Sequence, residues 1–99
     1  MSNVVLYISF HLAEGASASD FLLASEELNN GFMSKQKGFI SWKQLVEGRM
    51  WVDLLTWESM EDAKNVMEPS CTNALAEKFY SFIDQQSVQV HLFSVERSY

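Results

Sequence analysis

Residues 38–59 have the sequence GFISWKQLVEGRMWVDLLTWES, and this stretch predicts two neighbouring strands joined by a tight turn. On both sides of the turn, β-branched, aromatic and aliphatic residues dominate, with polar residues scattered among them, as a sheet surface requires. Gly48 and Arg49 are expected at the turn, because a two-residue hairpin turn favours glycine at a position of positive φ. This hairpin is the strongest local signal in the chain, and the other elements are placed relative to it.

The expected turn also fixes which residues of the two strands face each other. The predicted pairs are Val46 with Trp51, Gln44 with Asp53, Trp42 with Leu55, and Ile40 with Trp57. One side of the hairpin then presents the three tryptophans, and the other presents Phe39, Ser41, Lys43, Leu45, Val52, Leu54 and Thr56. Neither side is polar enough to face water, so both are expected to be covered, and the pattern leaves open which of them faces the helices.

The composition indicates one small domain, residues 1–99, with more apolar material than a thin core can hide. Of the 99 residues, 47% are hydrophobic and 13% are aromatic. A chain of this length buries about two-thirds of the surface that its unfolded form exposes. We therefore expect some of the remaining apolar surface to be covered by self-association.

The charge and the cysteine content disfavour several classes of partner. The net charge is −6 and the chain has only seven Lys and Arg residues, so neither nucleic acid nor an anionic membrane is an expected partner. A lone cysteine, Cys71, excludes an intramolecular disulfide and fits a reducing compartment. Because no apolar run approaches the roughly 20 residues of a membrane span and the N-terminus does not resemble a signal peptide, a cytoplasmic protein is expected.

Two further segments alternate in hydropathy as strands do. In residues 4–12, one face consists of Leu6, Ile8, Phe10 and Leu12, and the other of Val5, Tyr7, Ser9 and His11. In residues 87–97, one face consists of Val88, Val90 and Leu92, and the other of Gln89, His91, Phe93 and Val95. Each segment therefore has one core face and one face that mixes aromatic and polar side chains.

Helical spacing predicts the element between the first strand and the hairpin. The expected buried stripe is Phe21, Ala24, Leu28 and Phe32. Ser17 or Ser19 is the expected N-cap, and Gly38 is the expected end of the helix. We therefore expect an amphipathic helix of about four turns.

A second helix is expected after the hairpin, broken into two pieces. Ser59 and Asp62 are spaced as in a capping box, and Pro69 is expected to stop the first piece. Ser70 or Thr72 is the expected cap of the second piece. The apolar face of that piece is expected to be Leu75, Phe79, Phe82 and Ile83.

The element order is strand, helix, strand, strand, helix, strand, which predicts an α+β domain. Two strand-helix-strand units with right-handed crossovers give a four-stranded, antiparallel-type sheet with the helices on one face. The first and third strands are expected at its centre, as a parallel pair. The opposite face would present Tyr7, Ser9, His11, His91 and Phe93. Because an open sheet face is normally polar, we expect two copies to pack these faces together as a homodimer.

Two stretches carry a resemblance to a known family. Residues 38–42, GFISW, followed by a strand pair and then by residues 57–63, WESMEDA, resemble the pattern of the dimeric α+β barrel superfamily and, within it, of the antibiotic biosynthesis monooxygenase-like family. The resemblance implies a ferredoxin-like β-α-β-β-α-β subunit, a barrel-like dimer, and a ligand pocket between helices and sheet.

That family includes small oxygenases, which oxidise quinol-like or anthrone-like aromatics without metal or flavin, and haem-degrading enzymes. The haem-degrading branch relies on an Asn on the first strand and on a Trp and a His on the second helix. The corresponding positions here hold Ile8, Val66, and Leu75 or Ala76. Since none of these matches, haem degradation is not expected.

The candidates for substrate binding are Tyr7, Ser9, His11, Trp57 and His91. Tyr7 and Ser9 could hydrogen-bond a phenolic ligand, and Trp57 could form a wall of the pocket. His11 and His91, on neighbouring strands, could bind a metal or move a proton. Each candidate also has a commoner role in packing or in a dimer interface. Because no spaced carboxylate completes a histidine site, a metal is not expected. The resemblance to oxygenases that work without metal or flavin implies no other cofactor, and no catalytic residue is assigned.

Two classes of function follow from the sequence and the resemblance. The first is a cofactor-independent monooxygenase acting on an aromatic or quinol-like molecule, which the protein would orient and deprotonate in a dry pocket. The second is a non-catalytic dimeric module that binds a hydrophobic ligand or has a regulatory role. The expected pocket face is apolar, formed by Leu6, Ile8, Phe10, Val90 and Leu92, so the first class lacks an evident proton acceptor.

Overall fold

The structure, a computed structural model, describes residues 3–68 and 73–99. Its strands are β1 (Val4–Phe10), β2 (Phe39–Glu47), β3 (Met50–Trp57) and β4 (Gln89–Ser94). Its helices are α1 (Ala18–Gly31), α2 (Met60–Asn65) and α3 (Ala74–Tyr80), with short 3-10 turns at Met33–Lys35 and Gln85–Ser87. The predicted β-α-β-β-α-β order is confirmed, and the second helix is in two pieces.

The four strands form one sheet in the order β2-β3-β1-β4. The prediction that the first and third strands lie at the centre is confirmed, but the prediction that they are parallel is wrong. All three neighbouring pairs are antiparallel. Helix α1 carries the chain back, so that β2 runs in the same direction as β1. The hairpin then reverses the chain, so that β3 runs opposite to both. The two crossovers therefore give an entirely antiparallel sheet.

The hairpin has the predicted turn and most of the predicted register. Gly48 has a φ of 58°, and the pairs from Val46 with Trp51 to Trp42 with Leu55 are as expected. The pairing of Ile40 with Trp57 is wrong, because a bulge between Phe39 and Ser41 adds one residue to β2. Phe39 therefore pairs with Trp57 and lies on the tryptophan side. The two rings pack edge to face, with their centroids 5.6 Å apart.

The tryptophan side of the hairpin faces the helices, together with the predicted core face of β1. Buried side chains there form two adjoining clusters. One consists of Phe10, Phe21, Leu28, Ala76, Phe79 and Ile83, and the other of Val4, Leu6, Leu55, Trp57 and Ala63. Each large apolar side chain buried in these clusters contributes roughly 1.5 to 3 kcal/mol, so this layer holds the helices on the sheet.

Helix α1 begins as predicted but ends earlier. Ser17 Oγ accepts a hydrogen bond from the Asp20 N–H (3.2 Å), which makes Ser17 the N-cap. The helix ends at Gly31, not at Gly38, and Phe32 closes it through a backbone bond to the Leu28 carbonyl. A 3-10 turn follows, and Gly38, with a φ of 80°, turns the chain into β2.

The caps of the two later helices differ in how far the sequence predicts them. Ser59 Oγ accepts a hydrogen bond from the Asp62 N–H (3.1 Å), as the capping-box spacing predicts. The cap of α3 is Asn73, whose Oδ1 accepts from the Ala76 N–H (3.0 Å), so the assignment of that cap to Ser70 or Thr72 is wrong. Pro69, Ser70, Cys71 and Thr72 lie outside the described residues. Within the described ranges, no helix has the length and apolarity needed to cross a membrane.

Candidate functional site

A cavity of about 230 Å³ lies between the helix-facing side of the sheet and the helices. Its walls are mostly apolar and come from all four strands, α1 and α3. Among the lining residues are Leu6, Ile8, Leu28, Leu55, Phe79 and Val90. It occupies the place where the resemblance implies a pocket. An apolar cavity of this kind, with a few polar groups, is the usual form of a small-molecule site.

Asp53 is the only carboxylate among the described residues that line this cavity. The alternation of β3 places it on the helix-facing side, in line with Trp51, Leu55 and Trp57. Across the sheet it pairs with Ile8 on β1 and Gln44 on β2. Only 3% of its surface is exposed, so the sheet holds an ionisable group inside an apolar layer.

Burial raises the pKa of Asp53 to about 6, because the charged form loses its hydration. The side chains of Trp42 and Gln44 favour the charged form but offset only part of that effect. Neither Asp53 Oδ1 nor Trp42 Nε1 has a hydrogen-bond partner among the described residues. With a pKa of about 6, the carboxylate of Asp53 is about tenfold more abundant than the acid at pH 7. It is also a stronger base than a carboxylate in water.

Tyr80, at the end of α3, lines the same cavity. Burial and, less strongly, the charge of Asp53 raise the pKa of its phenol. The phenol therefore stays protonated at neutral pH and can donate a hydrogen bond to a ligand oxygen. Gln85 lines the cavity nearby and holds the end of α3 through a bond from its Nε2 to the Tyr80 carbonyl (2.9 Å).

A second and more polar cavity, of about 200 Å³, lies between α1 and β2. Its lining is Leu22, Ser25, Glu26, Asn29, Trp42 and Gln44. Trp42 lines both cavities, so its indole separates the apolar cavity from the polar one.

Three of the five predicted site residues lie on the opposite face of the sheet. Tyr7 pairs with His91 in register, and Ser9 pairs with Gln89. The rings of Tyr7, His91 and Phe93 form a cluster with centroid separations of 5.7 to 6.3 Å. None of these residues lines either cavity, so any ligand that they contact would lie outside the helix-facing layer.

The structure does not bring His11 near His91. His11 follows the end of β1, is exposed, and donates its backbone N–H to Ser87 Oγ (2.9 Å). His91 is opposite Tyr7. Tyr7 precedes His11 by four residues, so the two positions lie about 13 Å apart along the strand direction. Across the ranges 3–68 and 73–99, no group of three or more His, Cys, Asp or Glu side chains could hold a metal ion.

Trp57 lies between the sheet and the start of α2, with none of its surface exposed. It packs on Phe39 and belongs to the cluster around Val4 and Ala63. It does not line the cavity. In this position it anchors the strand-to-helix junction, and its assignment to ligand binding stays a prediction.

Sequence reasoning missed Asp53 and Tyr80 as site residues. Asp53 does leave a signal, because it interrupts the alternating apolar positions 51, 53, 55 and 57 of a central strand. An acid at such a position must be buried, and buried acids with shifted pKa values are concentrated at functional sites. Tyr80 leaves no comparable signal, since its position depends on where the second helix breaks and ends.

Comparisons with known proteins identify the fold. No family model and no curated protein matches the chain. Among solved structures, it is similar to SnoaB, a cofactor-independent oxygenase from Streptomyces nogalater, with a TM-score of 0.78 and 14% identity over 99% of this chain and 97% of that one.

Two provisionally assigned antibiotic biosynthesis monooxygenases are also similar. The Bacillus cereus protein has a TM-score of 0.65 and 22% identity over 100% of this chain and 98% of that one. The Bordetella bronchiseptica protein has a TM-score of 0.75 and 10% identity over 94% of this chain and 96% of that one. At these identities the comparisons confirm the ferredoxin-like α+β fold that the resemblance implies.

Proposed function

We propose that the protein is a cofactor-independent oxygenase that binds an aromatic, quinol-like or anthrone-like molecule in the apolar cavity, with Asp53 as the general base. The observation that carries this proposal is the buried carboxylate of Asp53, the only carboxylate among the described residues of the cavity lining, with its pKa raised to about 6. A general base works best when its pKa lies near the operating pH. The similarity to SnoaB, described as a cofactor-independent oxygenase, supports the same class of reaction.

In this reaction the substrate itself supplies the electrons that reduce O₂. With an anthrone-like substrate, which has an activated ring methylene, Asp53 takes a proton from that methylene, and the resulting carbanion transfers one electron to O₂. The two radicals combine to form a C–O–O bond, and the proton held by Asp53 returns to the peroxide oxygen. Loss of the remaining C–H proton with cleavage of the O–O bond then gives a carbonyl and water. One O₂ is consumed, and its two atoms end in the product and in water.

The rest of the cavity supports this role. A cavity of about 150 Å³ admits benzene, so a volume of about 230 Å³ has room for more than one ring. The Tyr80 phenol can donate a hydrogen bond to a ring oxygen on which negative charge develops. Apolar walls exclude water, which strengthens these interactions.

We also propose that the protein is a homodimer that packs its open sheet faces together. The ring cluster of Tyr7, His91 and Phe93 lies on that face, where Phe93 is 52% exposed and Leu45 is 46% exposed. A sheet face in contact with water normally carries polar residues. Covering this face with a second copy would bury these side chains.

The test of the proposed activity is O₂ uptake by the purified protein with a panel of quinols and anthrones, alongside a heat-denatured control. We expect uptake above the control with at least one compound and none with the matched quinones, which are already oxidised. Uptake that never exceeds the control would contradict the oxygenase. Calorimetric binding of the same compounds without uptake would instead support the alternative, a non-catalytic module that binds hydrophobic ligands.

A further inference from the structure

Ser25, on the buried side of α1, connects the helix backbone to β2. Its hydroxyl donates to the Phe21 carbonyl (2.8 Å), one turn back in the helix. Gln44 Nε2 donates to the same Ser25 Oγ at 3.0 Å. Ser25 is 3% exposed, so this contact between helix and sheet lies inside the layer that contains the apolar cavity.

These two bonds determine which way the amide of Gln44 points. A serine hydroxyl has one hydrogen, and here that hydrogen is used on the Phe21 carbonyl. Ser25 Oγ can therefore only accept from Gln44, so the NH₂ group of the amide, and not its carbonyl oxygen, must face the helix. Because the Phe21 carbonyl can only accept a hydrogen bond, it fixes the direction of both bonds and thereby the orientation of the Gln44 amide.

Gln44 lies directly opposite Asp53 in the β2–β3 register. Its NH₂ group has two hydrogens, of which Ser25 takes one. The side chain favours the charged form of Asp53, as a second N–H directed toward the carboxylate would do. A rotated amide would instead present its oxygen to the carboxylate and repel it.

The other titratable groups near this arrangement are few. Among the described residues lining either cavity, Tyr80 from α3 and Glu26 from α1 are the ones that titrate besides Asp53. Tyr80 lines the same apolar cavity as Asp53 and stays neutral until high pH, since its own pKa is raised. Glu26 is exposed on the polar side. The partner of Asp53 on β1 is the apolar Ile8, which pairs in turn with the apolar Val90 on β4.

We propose that Ser25 and Gln44 form a positioning pair, in which Ser25 orients the Gln44 amide so that an N–H faces Asp53 and keeps its carboxylate available as a base. The value of this pair in turnover depends on the proposed oxygenase function. The orientation itself does not, because it is a property of the protein without substrate. Ser25 acts through Gln44 and has no contact with the cavity that would hold the substrate.

The test is a ¹³C NMR titration of the Asp53 carboxyl carbon in the ligand-free protein. In Gln44→Met, which loses the donor but keeps the volume, we expect the Asp53 midpoint to rise by about one pH unit. In Ser25→Ala, which leaves Gln44 in place but frees its amide to rotate, we expect a smaller rise in the same direction. Ser25→Thr keeps the hydroxyl, and its extra methyl can enter the polar cavity, so the wild-type midpoint should return.

The control is Ser34→Ala, which removes an exposed hydroxyl just after α1 and should not move the midpoint. An unchanged midpoint in Ser25→Ala, with amide spectra showing a native fold, would overturn the pair even if Gln44→Met titrates higher. If Gln44→Met does not fold, the comparison of Ser25→Ala with Ser25→Thr decides alone. The titration uses no substrate, so it is independent of the uptake assay. If the midpoint shifts as expected but the protein takes up no O₂, the shift supports the pair and the missing uptake contradicts the oxygenase.

Discussion

Asp53 is the residue at which stability and the proposed function oppose each other. Its pKa is about 6 in the folded protein against 3.8 in its ordinary environment, so between these values the folded state binds more protons than the unfolded state. Stability therefore falls as pH rises from about 4 to about 6, and the cost is fully present at neutral pH. A buried charge without full hydrogen bonding is retained where activity needs it.

The first prediction at this scale is that Asp53→Asn stabilises the protein at pH 7. The amide has a similar shape to the carboxyl group but no charge to bury, and a shift from 3.8 to about 6 corresponds to a gain of at most about 3 kcal/mol. Urea unfolding between about pH 4 and pH 8 measures it. The gain should shrink toward zero at the acid end, where Asp53 is itself neutral.

Glu58→Gln is the matched control, since Glu58 is an exposed acid just beyond the same strand. This variant should unfold as the wild type does across the whole range. If Asp53→Asn were instead destabilised equally at every pH, the carboxylate would be making stabilising contacts, and its description as a group raised in pKa by burial would be wrong.

Among the secondary-structure elements, the junction between α1 and the hairpin depends on the close approach of the Gly38 backbone to the Asp62 side chain. Gly38 has a φ of 80°, and a Cβ built there would lie 2.7 Å from the Cβ of Asp62, the residue that completes the α2 capping box. Gly48 at the hairpin turn also has positive φ, at 58°, but a Cβ there would meet nothing within 4 Å. Both positions need glycine for backbone conformation, and Gly38 also needs it for space.

We therefore predict that Gly38→Ala destabilises the protein more than Gly48→Ala. The turn variant should lose about 1 kcal/mol, the cost of an L-residue in the left-handed region. The Gly38 variant should lose that amount and a further 1 to 3 kcal/mol, roughly, from overpacking against Asp62. Denaturant midpoints of the two variants make the comparison. Equal losses would show that α2 moves away freely and that the junction is not tightly packed.

Local sequence patterns predicted the order of helices and strands well. They predicted the full strand register and the helix boundaries less well. The turn at Gly48 and the alternation of Trp42, Trp51 and Trp57 were enough to give the register near the turn, because each pair there follows from the one before. The bulge at Phe39 could not be predicted, since neighbouring positions 39 and 40 are both apolar and either can face the core. The Asn73 cap was missed because Ser70 and Thr72 satisfy the same preference.

At the scale of the whole molecule, the open sheet face leads to a prediction about assembly. The monomer mass is 11.3 kDa, and sedimentation equilibrium at micromolar concentration should give twice that value. Phe93→Asp, which places a charge in the ring cluster with Tyr7 and His91, should shift the protein toward the monomer, because an unpaired charge is costly to bury in an interface.

Tyr99→Asp is the control for assembly, because Tyr99 is fully exposed beyond the last strand. That variant should sediment as the wild type does. A wild-type protein that sediments as an 11.3 kDa species would contradict the dimer. It would leave the helix-facing cavity and Asp53 unaffected, since the cavity is formed within one chain.

If Asp53 is the base of an oxygenase, as we propose, O₂ uptake must depend on the protonation state of this one carboxyl group. With an oxidisable compound from the panel, kcat/KM of the wild type and of Glu58→Gln should rise with pH around a midpoint of about 6, the pKa of Asp53. Asp53→Asn should be slower by about 100-fold or more and should lack that midpoint. Uptake by Asp53→Asn at the wild-type rate and with the same pH dependence would show that Asp53 is not the base.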